Sequence, residues 1–394
     1  VKEDEAYRGR EHSGIKHRFL AKYLQEASFK VLQGPFAAGV FNYVDGFAGP
    51  WSVSDGQDYS DSSFDNAVRI LLATGEYLKS ARRYAPKFRF FLCEQDSNRV
   101  EKLRAYAEQK TGQLSDLQIE VFEGKFEDNL TRIGAKCREG TQSFTFTFID
   151  PTGWKLRSAE IARFLSAIRG DFMINFMEHP ISRHNRYEPA SKSFGDFLDD
   201  QDWSEKIDCS PGAAPREIQI LRMLKSRLKA TGAAKYMPDF PILMPSKDRT
   251  QMRLVLGTHH AQGVEVFRSV QKHAEGDQAT VRRSVAAREQ TQLNMFSDDE
   301  LNTIELASGG VGGSKSLQAA RERCLEIISK PSKAISFDDF AARVMEDVPV
   351  RMTNIKDIAV ELRESGKLQY QLASQKARKP KEDTIIRWSA PTAQ

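Results

Sequence analysis

Five short apolar runs recur along the first half of this chain, and the first four each close on an acidic residue. Residues 40–44 lead into Asp45, 88–93 into Glu94, 117–122 into Glu123 and 143–149 into Asp150, and residues 171–177 form the fifth run. Between them, residues 64–80, 98–110, 126–138 and 158–168 carry apolar side chains at helical spacing. Strand, helix, strand in repetition demands parallel neighbours joined by crossovers. The pattern predicts an α/β fold: a Rossmann-like, doubly wound, mainly parallel sheet. In such sheets ligands sit at the carboxyl ends of the strands, which is where these acids fall.

The chain has 394 residues, longer than one compact domain. A hydrophobic content of 40% supplies a core, and a net charge of +4 permits nucleic-acid contact without requiring it. Cys93, Cys137, Cys209 and Cys324 are scattered, with neither disulfide-framework nor metal-ligand spacing. His259 and His260 are adjacent on a strand and so face opposite sides, which argues against a metal site. No apolar stretch approaches the ~20 residues of a membrane span. The charged start lacks the apolar core of a signal peptide, so a cytoplasmic protein without a membrane partner is expected.

Residues 12–32 read as an amphipathic helix built on Ile15, Phe19, Leu20, Tyr23 and Leu24. The first domain is expected to cover residues 1–275, with a helical insertion at about 178–250. Residues 276–316 are polar, carry Gly309, Gly310, Gly312 and Gly313, and read as a linker. Residues 317–329, 336–346 and 353–365 are helical in pattern, and two strand-like segments follow Gly366. Residues 317–394 are therefore expected to form a winged helix-turn-helix domain. Such modules dock a helix in the DNA major groove. Here Asp357, Glu361 and Glu364 share the third helix with Lys356 and Arg363, which leaves a protein partner open beside DNA.

The candidate site follows the strand ends. In Asp45-Gly46-Phe47-Ala48-Gly49 the glycines allow a ligand close to the backbone, and amides at a helix start can donate to it. Glu94, followed by Gln95, suits a ribose diol, because a carboxylate accepts from both hydroxyls. Gly124-Lys125-Phe126 stands where a base edge and an aromatic wall are expected. Asp150-Pro151, with Trp154 beyond, falls beside the reacting group; the alternative is that Asp150 caps the next helix and Trp154 is core. Lys16, His17 and Arg18 form a solvated face, or else Lys16 and His17 reach an anionic group of cofactor or substrate. The chain lacks a P-loop lysine, and its glycines do not follow G-x-G-x-x-G, which disfavours a nicotinamide cofactor.

These segments resemble the class I S-adenosylmethionine (SAM)-dependent methyltransferases. The Asp45 loop is similar to their D-x-F-x-G-x-G motif, Glu94 to their ribose-binding acid, and Asp150-Pro151 to the D-P-P-[YFW] motif of exocyclic-amine methyltransferases. A closer resemblance is to the three-Cys-motif partner (TcmP) proteins. It is carried by Lys16-His17 leading into Leu20-Ala21-Lys22-Tyr23-Leu24, residues 43–50 and 148–154, Asn175-Phe176-Met177 with Arg183, and Gly257-Thr258-His259-His260 with Gly263. It covers most of residues 12–275 and extends to the C-terminal winged helix.

The resemblance implies SAM as cofactor, held by Lys16, His17, Asp45 to Gly49, Glu94, Gln95, Gly124, Lys125, Phe126 and Asp150. It implies methyl transfer to an exocyclic amine of a nucleic-acid base, DNA before RNA, with Asp150, Pro151 and Trp154 catalytic. It also implies a companion protein with a three-cysteine, radical-SAM-like motif, in prokaryotic or phage DNA modification, repair or defence. Two departures stand out: Trp51 replaces the last motif glycine, and one extra residue precedes Trp154. The alternative is a non-catalytic SAM- or nucleotide-binding adaptor that brings its partner to DNA. Finally, Gln292-Leu293-Asn294-Met295-Phe296 in the linker resembles the Q-L-x-L-F peptide that holds the bacterial sliding clamp, although its apolar pair could equally pack back on the first domain.

Overall fold

The computed structural model describes residues 7, 11–33, 37–49, 59, 62–82, 84–112, 116–140, 142–151, 158–177, 188–247, 249–289, 309–329, 334–372, 374 and 377–388. The chain divides into two compact units, residues 1–259 and 260–394.

In the first unit the acid-closed runs are strands. The elements are α1 (Glu11–Leu32), β1 (Val40–Asp45), α2 (Ser63–Arg82), β2 (Lys87–Glu94), α3 (Ser97–Thr111), β3 (Leu117–Glu123), α4 (Phe126–Cys137), β4 (Ser143–Ile149), α5 (Ser158–Ala167) and β5 (Gly170–Phe176). After β5 come α6 (Glu188–Leu198), a short 3-10 turn at Trp203–Lys206, α7 (Arg216–Ala230), β6 (Asp239–Leu243) and β7 (Thr250–Gly257). The sheet order is β3-β2-β1-β4-β5-β7-β6. Strands β1 to β5 pair in parallel, and β7 runs antiparallel to both β5 and β6. The order reverses between β1 and β4, the place where a doubly wound sheet opens a crevice at its carboxyl edge.

Strand alternation gives the sheet two different faces. Val44, Phe91, Cys93, Ile149, Phe172, Ile174 and Phe176 belong to one apolar cluster with residues of α4, α5, α6 and α7, among them Ile133, Leu165, Phe194 and Leu224. Each such side chain contributes roughly 1.5–3 kcal/mol by leaving water. The opposite face carries Tyr43, whose ring lies 5.5 Å from Phe90 and 6.2 Å from Phe146, with Tyr23 of α1 5.6 Å from Phe146. Helix α1 packs beside α2. The expected amphipathic helix is therefore present, and its apolar stripe includes Ile15, Phe19, Leu20, Tyr23 and Leu24.

The segment after β5 departs from a purely helical insertion. Helices α6 and α7 fill part of it, but residues 239–243 form an edge strand. This strand hides in the sequence because Pro241 interrupts it and it starts on an acid. An edge position tolerates proline, which has no N–H to give to the ladder. Asp239 is held by Lys225 at 2.6 Å and Arg253 at 2.8 Å, so its charge is compensated.

The second unit holds α8 (Ala261–Glu289), α9 (Ser314–Ser329), β8 (Ile335–Ser336), α10 (Phe337–Asp347), α11 (Met352–Glu364), β9 (Leu368–Tyr370) and β10 (Ile385–Trp388). Its antiparallel sheet has the order β8-β10-β9. Phe337, Phe340, Val344, Ile355, Ile358, Leu368 and Ile386 are buried.

Residues 276–289, expected to begin a linker, instead continue helix α8. Within this continuation Gln278, Ala279 and Val281 are buried, and the preceding turns carry a polar face that is buried rather than solvated. Arg268 is 2% exposed and donates to the Met345 carbonyl at 2.6 Å and the Glu346 carbonyl at 2.9 Å, satisfying carbonyls at the end of α10. It also bonds Gln271, which donates to Glu275 at 2.8 Å. Glu275 in turn accepts from the Val311 amide at 2.8 Å. Among the described residues no helix is long and apolar enough to cross a membrane.

The antiparallel turn-in of β7 depends on one glycine. Gly257 lies opposite Phe172 in the register, and a Cβ there would come within 2.0 Å of the Phe172 ring. Gly257→Ala should destabilise the first unit by about 1–3 kcal/mol through overpacking. Urea denaturation should read this as a lower midpoint, and adding Phe172→Leu should recover part of the loss.

Candidate active site at the carboxyl edge of the sheet

The parallel register decides which acids meet. Asp45 pairs with Leu92 on one side and Phe148 on the other. Two residues further along those strands lie Glu94 and Asp150, so all three acids project to the same face. Ile149 pairs with Ile174, which brings Asn175 beside Asp150 on that face as well. This is the face that α1 and α2 border, and each helix sends a polar side chain to the acids there.

From α1 comes Lys16, which forms an ion pair with Asp150 Oδ2 across 134 residues of sequence. The side chains are 10% and 19% exposed, respectively. Asn175 Nδ2 donates to Asp150 Oδ1 at 2.6 Å. Both oxygens are engaged, and neither serves the N-terminus of α5, which begins at Ser158. Asp150 is thus held by side chains at the edge of the sheet and does not cap α5. Burial alone would raise its pKa. The Lys16 charge and hydrogen bond, the Asn175 bond and the His17 charge together outweigh burial and hold it below the ordinary value. The Asn175 side-chain oxygen is buried and has no hydrogen-bond partner among the described residues.

From α2 comes Ser63, whose hydroxyl donates to Asp45 Oδ2 at 2.6 Å. Tyr43 OH donates to the same oxygen at 3.3 Å, and the Phe47 amide donates to Oδ1 at 3.1 Å. Asp45 is fully buried, and desolvation pushes its pKa up to about 6. The Ser63 and Phe47 bonds oppose that rise, while the charge of Asp150 adds to it. The two acids at the switch point therefore differ in kind: Asp150 is held as an anion, and Asp45 titrates near neutrality.

The loop after β1 lies across the strand ends. The Gly46 amide donates to the Phe148 carbonyl at 3.1 Å and the Ala48 amide to the Cys93 carbonyl at 2.9 Å. With the Phe47 amide on Asp45, three amides of the loop expected to approach a ligand are bonded inside the protein. Gly46 is needed for another reason, since a Cβ there would stand 2.8 Å from the Phe126 ring. Phe126 is 1% exposed and packs edge-on to Phe47 at 6.1 Å and to Phe164 at 6.0 Å. Its ring supports the Gly46 turn from the apolar-cluster side and shows almost no surface. Gly49 is buried beyond it.

Glu94 is 8% exposed and accepts the Asp96 amide at 2.8 Å with Oε1. Gln95 is exposed. Gly124 adopts φ +108, a left-handed value that glycine permits, and its amide donates to the Glu94 carbonyl at 2.9 Å. Lys125 is exposed at the N-cap of α4. His17 shares a 3.1 Å contact between Nδ1 and Tyr7 OH. Pro151 is buried directly after Asp150. Trp51, Trp154, Arg183 and the 292–296 segment lie outside the described residues.

Two contributors escaped the sequence reading as site residues. Ser63 leaves no signal, because its partner is eighteen positions away on a different element. Asn175 does leave one: it is the lone amide in the apolar run Phe172-Met173-Ile174-Asn175-Phe176. Among the described residues no three His, Cys, Asp or Glu side chains gather as metal ligands.

No family model matches the chain, and no curated protein matches it. Among solved structures, it is similar to a spermidine synthase from Thermotoga maritima at 11% identity and a TM-score of 0.32, over 74% of this chain and 70% of that one. It is similar to an O-methyltransferase from Streptomyces achromogenes solved with SAM, at 11% identity and a TM-score of 0.30, over 61% and 79%. It is also similar to a loganic acid methyltransferase solved with S-adenosylhomocysteine (SAH), at 9% identity and a TM-score of 0.29, over 70% and 88%.

The Asp45 carboxyl makes a measurable claim. Its folded pKa of about 6 lies above the ordinary 3.8, so the folded protein holds this proton more tightly than the unfolded chain. Stability from this group is present at low pH and is lost as pH rises through the window between those values, by roughly 3 kcal/mol in all. Asp45→Asn removes that loss. The stability of the variant relative to wild type should therefore increase between pH 4 and pH 7, read by denaturant titration at each pH; a difference that is flat across the window contradicts the assignment.

Proposed function

We propose that the first unit is a SAM-dependent methyltransferase acting on an exocyclic amine of a nucleic-acid base. One observation carries the reading: Asp45, Glu94 and Asp150 share one face at the switch point of the sheet, and Asp150 is kept anionic there by Lys16 and Asn175. In this reading a nucleoside cofactor runs along the edge from Glu94 toward Asp150. Its ribose belongs at Glu94, whose second oxygen is the one not engaged by the Asp96 amide. The methyl donor then belongs between Asp45 and Asp150.

Methyl transfer asks little of a protein beyond alignment, because a sulfonium is already activated. A target amine needs an acceptor that fixes its lone pair toward the methyl group. Asp150 is a suitable acceptor, since a carboxylate has about four lone-pair directions and two are in use. As positive charge develops on the amine nitrogen, an ionised Asp150 stabilises it. Pro151 stiffens the exit of the chain from β4, and Trp154 is assigned to stacking on the base.

In the same proposal the second unit is a winged helix. Its order of helix, short strand, two helices and two strands supports that reading. Its third helix is charge-balanced: Arg321 pairs with Glu361 at 3.0 Å, and Lys379 pairs with Asp357. DNA and a three-cysteine companion protein are the proposed partners, in prokaryotic or phage DNA modification, repair or defence.

A second reading is an adaptor that binds SAM or a nucleotide without turnover. It is favoured by the loop amides of Gly46, Phe47 and Ala48 being spent internally. Calorimetry with SAM, followed by labelled methyl transfer to DNA, RNA and protein, separates the readings. The enzyme should bind SAM and label a nucleic acid. Asp150→Ala should abolish labelling and retain SAM binding. Absence of binding at high micromolar SAM defeats both readings that involve SAM, and binding without labelling leaves the adaptor.

A further inference from the structure

Lys16 was expected to face a cofactor or solvent, yet in the protein its ammonium rests on Asp150. We propose that Lys16 is the resident cation of this site: it holds the place on Asp150 that an amine-bearing ligand takes, so ligand entry exchanges one N–H donor for another. The inference rests on the reading of Asp150 as the amine acceptor.

The two donors on Asp150 are not equivalent. Asn175 is carried by a central strand, is 1% exposed and cannot leave without disturbing the sheet. Lys16 is carried by the second turn of α1 on a flexible four-carbon stem, and it meets Asp150 as a single point charge. The carboxylate itself stands just past the end of β4 and keeps 19% of its side chain exposed. Of the two bonds, the one to Lys16 is the one that can open toward solvent.

Electrostatics makes such an exchange cheap for some ligands and costly for others. Asp150 lies near Asp45, and their charges oppose each other. With Lys16 withdrawn Asp150 would keep the Asn175 bond but lose its counter-ion, which is costly for a largely buried carboxylate. An incoming amine or ammonium replaces the lost donor and repairs that cost. A neutral group without a donor, or an anion, does not. The site therefore selects for N–H donors with positive character, and Lys16 sets the threshold that a ligand must exceed.

The test uses two cofactor analogues that differ at one position. Sinefungin carries an amine-bearing carbon where SAM has its methylsulfonium, and SAH carries neither the methyl group nor the amine. The quantity read by calorimetry on the full chain is the ratio of their affinities. Lys16→Met should raise the preference for sinefungin over SAH by about tenfold, equivalent to ~1.4 kcal/mol. Lys16→Arg should lower it, because a guanidinium fork grips a carboxylate through two parallel bonds. Asp150→Asn should flatten it in either background. Thermal melts check that each variant is folded, and if Lys16→Met does not fold, the Lys16→Arg comparison decides.

A ratio unmoved by Lys16→Arg and Lys16→Met overturns the proposal while leaving the SAM reading intact. A ratio that falls in Lys16→Met overturns it too, and shows that Lys16 binds the ligand directly. Failure of wild type to bind either analogue is a different outcome: it defeats the SAM reading on which the proposal rests, and the proposal falls with it.

Discussion

The in-register parallel pairing of β1 with β2 and β4 is the constraint on which everything at the site depends. Once Asp45 stands opposite Leu92 and Phe148, alternation leaves no choice about where Glu94 and Asp150 point. A one-residue slip in either strand pair would send an acid into the apolar cluster around Val44, Cys93 and Ile149. The register is secured by that same cluster and by the ring contacts of Tyr43 with Phe90 and Phe146 on the other face. Packing and site geometry are thus two consequences of one alignment.

Within that frame the two switch-point acids are specialised by their partners. Both sit at the carboxyl edge, and both accept several hydrogen bonds. Asp45 receives its bonds from neutral groups, Ser63, Tyr43 and the Phe47 amide, which do not fully repay its desolvation. Asp150 has a cation, and the balance reverses. Placing one permanent anion beside one titratable group is a common way for a site to separate charge stabilisation from proton handling.

Much of this was legible from the chain alone. Five mainly apolar runs, the first four closed by acids, marked the parallel strands, because a strand buried in the middle of a sheet is rich in hydrophobic residues. The three helices and two closing strands of the second unit were legible for a similar reason: Phe340, Val344, Ile355 and Ile358 repeat at helical spacing. What escaped was whatever depends on partners distant in sequence. Residues 276–289 looked like a linker because they are polar and lead toward the glycines at 309–313, yet Gln278, Ala279 and Val281 among them are buried. Lys16 was visible as a candidate, but nothing in its neighbourhood pointed to a residue 134 positions away. Asn175 stood out among hydrophobic neighbours, and only the β4–β5 register gives it a role.

The proline in β6 has a consequence of its own. An open sheet ends in a row of unpaired backbone groups, a template on which a foreign strand can grow. At this margin Pro241 offers no amide, and the charged trio of Asp239, Lys225 and Arg253 sits at the start of the same strand. A chain trying to extend the sheet would lose a rung of the ladder at Pro241. The feature that hid this strand in the sequence is also what guards the sheet against self-association.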